Sequence, residues 1–186
     1  MQKKALWSFL LGGVLPLVAY AIVEDQYGPF WGTVAGMSLG LVEVLWEWRR
    51  DGRVQTITWG SNLMILVLGV VSIVTNDGLW FKMQPSLLEI AVSITLWVSA
   101  WRGPGILVLM ARKQNPNLPE AVVPWLRSLS IRLGFFFLAH SILNAWAALH
   151  WSTAAWVMLK GIGLTISQIL YIIIEVLWKR YRSKKD

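Results

Sequence analysis

The chain has 186 residues, of which 56% are hydrophobic and 15% charged, with 13 Trp, no Cys and a formal net charge of +7. A mean hydropathy of +0.55 excludes a disordered chain and an ordinary soluble domain, in which about a quarter of residues are charged. The missing Cys excludes disulfides, thiolate metal sites, cysteine nucleophiles and iron–sulfur clusters, and the basic balance reads as cytoplasmic loops of a membrane protein, not a nucleic-acid surface.

Crossing a bilayer takes about 17–25 apolar residues in a helix. The first such run is 5–23. Lys3, Lys4 and Ala19-Tyr20-Ala21 also fit a cleavable signal peptide. The apolar run exceeds the usual signal core of about 7–15 residues, so retention as a span is expected.

The second run is 30–48. Gly32, Gly36, Gly40, Glu43 and Glu47 fall within about 80° of one another on a helical wheel. Glycines on one stripe let a neighbouring helix approach closely. The expected face is a packing seam with Glu47 reaching inward to the interface. The functional alternative is a proton or ligand carboxylate at Glu43.

The third run is 58–76 and the fourth is 84–101, with Lys82 just before it and Glu89 inside it. Pro104, Pro116, Pro119 and Pro124 interrupt the segment 102–125, which reads as a cytoplasmic loop with a short interfacial helix over its apolar part.

The fifth run, 129–149, carries Arg132, His140 and Asn144, the last two one turn apart on one face. His140 has two readings, a neutral interhelical hydrogen-bonding group or a proton carrier. The sixth run, 154–178, places Lys160, Gln168 and Glu175 on one stripe. A basic tail, 179–186, follows. Depth along the spans predicts an outer Glu89–Lys160 pair and an inner Glu43–Arg132 pair. Pairing offsets the cost of burying charge without requiring activity.

The N-terminus, the even links and the tail hold 14 of the 17 Lys and Arg residues. The positive-inside rule then places both termini in the cytoplasm. Trp46, Trp48, Trp59, Trp97, Trp101, Trp125 and Trp178 mark the inner ends of the spans. Trp31, Trp80, Trp146, Trp151 and Trp156 mark the outer ends. Indole rings favour that half-wet level. The expected fold is all-α: one polytopic transmembrane domain over 1–186, a bundle of about six spanning helices.

Catalytic patterns are absent. There is no zinc-protease His-Glu-x-x-His, phosphate loop or nucleophile elbow. No catalytic residue, cofactor site or metal site is expected, and the chain reads as a non-enzyme.

Elements along nearly the whole chain resemble the intracellular septation protein A family, also called the inner membrane-spanning protein YciB family. They are Leu15-Pro16-Leu17 with Tyr20, Phe81-Lys82 with Pro85, Leu118-Pro119, an aromatic-rich span with Phe136 and Asn144, and Trp156-Val157 with Lys160 and Gly163-Leu164-Thr165. Gln84, Ser86 and Trp146 depart from the family pattern, which weakens an anion-binding role for the third link. The resemblance favours a retained first span. It implies a multi-pass protein of the bacterial inner membrane, acting in envelope maintenance and septation through contacts with division or envelope-synthesis proteins. It implies no enzymatic activity. The alternative is a small transporter or channel using the buried polar residues. An enzyme acting on lipid-linked precursors is the third reading. The expected partners are the lipid bilayer and other membrane proteins, without nucleic acid. No substrate, and no oligomeric state, follows from the residues.

Overall fold

The computed structural model describes residues 15–182. Lys3, Lys4, the first part of the 5–23 span and the tail from Ser183 lie outside the described residues. The described residues are helical and contain no strand. They fall into two compact units, one from residues 15–81 and 147–182, the other from Lys82–Trp146.

The first unit contains α1 (Leu15–Tyr27), α2 (Pro29–Asp51), α3 (Thr56–Thr75), α7 (Thr153–Met158) and α8 (Leu164–Arg182). Their ends follow local chemistry. Gly28, at φ 85°, breaks the chain before Pro29, whose fixed φ suits the first helical position. Gly52, at φ 67°, closes α2 by returning its N–H to the Trp48 carbonyl. Ser152 caps α7 by accepting from the Ala155 N–H at 3.3 Å. Between α7 and α8 the helix continues through a π-helical turn, Leu159–Gly163.

The core of this unit is aromatic. The Tyr20 ring stacks on Phe81 at 4.5 Å and meets Trp156 edge-on at 6.2 Å. The Tyr20 hydroxyl donates to the Gly78 carbonyl at 3.3 Å. Trp156 is fully buried, and its indole N–H has no hydrogen-bond partner among the described residues. It is a packing residue and not the interfacial anchor expected from its place in the sequence.

The second unit is built on α4 (Leu79–Arg102), α5 (Ile106–Gln114) and α6 (Val123–His150). Asp77 accepts from the Leu79 N–H at 2.9 Å, so α4 begins before Pro85 and carries it internally. The sixth helix starts at Val123, earlier than the expected 129, because Pro124 sits in its first turn, where no N–H is required.

Among the described residues four helices are long and apolar enough to cross a membrane: Thr58–Thr75, Leu79–Arg102, Glu120–His150 and Thr153–Tyr181. They coincide with the third to sixth expected spans. The second expected span is the 23-residue α2, whose later half carries Glu43, Glu47, Arg49 and Arg50 and is correspondingly less apolar. The fold is all-α and multi-pass.

Candidate functional site

Within the second unit, α4 and α6 run antiparallel and meet through polar contacts along their length. Ser141 Oγ donates to the Ser86 carbonyl at 2.9 Å. Trp97 Nε1 donates to the Ile131 carbonyl at 3.0 Å. Arg127 Nε donates to the Ala100 carbonyl at 2.7 Å. Gly134 leaves room for the Trp97 indole, which a Cβ at that position would strike.

The chemistry of this helix pair centres on Glu89, 4% exposed, and Asn144, fully buried. The Asn144 amide nitrogen donates to Glu89 Oε1 at 3.0 Å and Oε2 at 2.8 Å. His140 Nδ1 lies 3.2 Å from that nitrogen and 3.6 Å from Glu89 Oε1. Phe136 covers the imidazole, with ring centroids 6.0 Å apart. A buried carboxylate must be hydrogen-bonded or paired, and the amide supplies donors to both oxygens. The imidazole lies beside the carboxylate but beyond hydrogen-bond distance of it. Sequence reasoning named all three residues and recognised the His140–Asn144 face. It did not join Asn144 to Glu89.

In the first unit, Gly32, Thr33, Gly36, Gly40 and Glu47 are the buried face of α2. A Cβ at Gly32 would lie 2.8 Å from Glu24 Cβ and 3.0 Å from the Tyr20 carbonyl oxygen. One at Gly36 would strike the Phe81 ring, and one at Gly40 would strike the Asn62 amide. Glu43, half-buried, accepts from Asn62 Nδ2 at 3.1 Å. The same nitrogen donates to the Thr58 carbonyl at 3.0 Å. Glu47 accepts from the Gln55 backbone N–H at 3.3 Å, tying the end of α2 to the start of α3. Asn62 was missed in the sequence. Its signal was a strongly polar side chain inside an otherwise apolar span.

The remaining candidates are dispersed. Lys82 is half-buried in the first turns of α4. Arg132 bonds Ser128 Oγ one turn earlier on α6. Lys160 lies in the π-helical turn, a local widening that re-aims side chains. Among the described residues no group of three or more His, Asp and Glu side chains is placed to hold a metal ion.

The sequence model of the intracellular septation protein A family matches residues 10–185. The chain belongs to the intracellular septation protein A family. It is 28% identical over 167 residues to the inner membrane-spanning protein YciB of Acidithiobacillus ferrooxidans, covering 89% of each chain. It is 27% identical over 175 residues to the protein of the same name from Nitrosomonas eutropha, covering 93% of this chain and 94% of that one. The Polynucleobacter asymbioticus relative, also named inner membrane-spanning protein YciB, is 27% identical over 167 residues, 89% of this chain and 91% of its own. No solved structure matches the chain. These relatives are named as membrane-spanning proteins and not as enzymes. Membership of the septation protein A family and the membrane-competent helices make this a multi-pass inner-membrane protein.

Proposed function

We propose that the protein maintains the cell envelope and supports septation as a non-enzymatic interaction protein, with both termini in the cytoplasm and its partners among division or envelope-synthesis membrane proteins. Family membership carries this reading. The polar groups inside the helices support it, because they bind one another: Asn144 holds Glu89, and Asn62 holds Glu43. Such contacts fix helix register without a substrate. The test is a deletion strain complemented with this chain. The expected phenotype is defective division, envelope integrity or osmotic tolerance, restored by complementation. A deletion strain normal in all three contradicts the reading.

One observation favours a second reading, transport of a proton or small solute. Glu89 and His140, both ionisable and buried, lie 3.6 Å apart inside a helix pair of membrane-spanning length. Ionisable residues within spans commonly mark proton relays. Flux into proteoliposomes that is lost in Glu89→Gln would establish this reading over the first.

A further inference from the structure

A groove of about 450 Å³ opens on the surface of the second unit, between the end of α4 and the start of α6. Its walls are Trp97, Val98, Trp101, Ile131 and Phe135, with Arg127 at one end. Among small-ligand sites this is an ordinary size, the usual range being about 300–1,000 Å³. The lining is almost wholly apolar and includes no carboxylate.

Arg127 is set for an anion. Its Nε is spent on the Ala100 carbonyl, which fixes the plane of the guanidinium. Both terminal nitrogens remain available, with no partner among the described residues. A planar fork of this kind matches two phosphate oxygens. Arg102, exposed in the last turn of α4, adds a second positive charge near the same end. Trp101 is 83% exposed, a poor position for an indole in water and a good one at the headgroup level.

Depth selects the occupant. The 28 residues of α6 extend about 42 Å, against about 30 Å of hydrocarbon. Arg127, one turn from the start, therefore lies in the headgroup region, while Ile131 and Phe135 descend along acyl chains. We propose that this groove binds one anionic phospholipid, with its phosphate on Arg127 and an acyl chain against Trp97, Ile131 and Phe135. Arg127 in a lining without a carboxylate, with Arg102 next to Trp101 in the chain, favours a lipid of net negative charge over a zwitterionic one.

The test is native mass spectrometry of the full chain in detergent, titrated with phosphatidylglycerol or phosphatidylcholine. The expected result is one retained phosphatidylglycerol, bound about tenfold more tightly than phosphatidylcholine and weakened about tenfold in Arg127→Gln. Arg127→Gln also removes the bond to Ala100, so its lipid-free melting temperature is measured alongside. If that falls, Ile131→Glu decides: it puts a carboxylate into the exposed wall of the groove and should abolish retention. Equal retention of the two lipids overturns the proposal, as does wild-type retention in Ile131→Glu. Displacement of the lipid by inorganic phosphate alone overturns it too, since the acyl chain would then contribute nothing. A second copy of the chain in place of lipid, detected as a dimer that Ile131→Glu dissociates, likewise overturns it.

Discussion

The Asn144 amide nitrogen bridges both carboxylate oxygens of Glu89, at 3.0 and 2.8 Å, from 55 residues away in the sequence. The contact joins α4 to α6 through groups that hydrocarbon cannot solvate. Its loss should be felt as an unsatisfied buried charge more than as a missing contact.

Asn144→Ala should therefore lower stability by about 1–3 kcal/mol, read as a drop in melting temperature in detergent. Asn144→Asp should be worse, because it sets two carboxylates together. Adding Glu89→Gln to Asn144→Asp restores one amide and one carboxylate with their places exchanged. The double variant should recover part of the loss. If the two substitutions merely add, the bridge does not hold the helices together.

Gly36 faces the Phe81 ring, so Gly36→Leu should cost about 1–3 kcal/mol through overcrowding. The membrane supplies no hydrophobic compensation between helices. Leu39→Ile is the control. Phe81→Ala combined with Gly36→Leu should regain part of the stability by vacating the space. Melting temperatures of the four proteins decide it, and a Gly36→Leu variant as stable as the control contradicts the close approach.

The helices were legible in the sequence because span length and apolar content are one-dimensional properties. Their starts were less so. Pro85 and Pro124 look like breaks, yet one is carried inside α4 and the other sits in the opening turn of α6. The π-helical turn at Leu159–Gly163 left no periodic signal, since one widened turn does not alter composition. The glycine face of α2 was readable from its spacing. What it packs against was not, because Phe81 and Asn62 lie on other helices. Depth reasoning could have joined Asn144 to Glu89, as both sit toward the same expected end of antiparallel spans.

Topology is open to cysteine labelling, since the chain has no native Cys. A cysteine introduced by Gln26→Cys should react with an impermeant reagent added outside. One introduced by Gln55→Cys or Ser183→Cys should react only after the membrane is opened. Labelling at 183 from outside contradicts cytoplasmic termini and an even number of spans.

The proposed role as an envelope and septation interaction protein is tested most directly by crosslinking in dividing cells, with a photoreactive residue introduced at Ile172 on the exposed face of α8 and the attached proteins identified. The expected result is reproducible capture of membrane proteins that act in division or envelope synthesis. Capture of neither class, with lipid as the sole adduct, contradicts it.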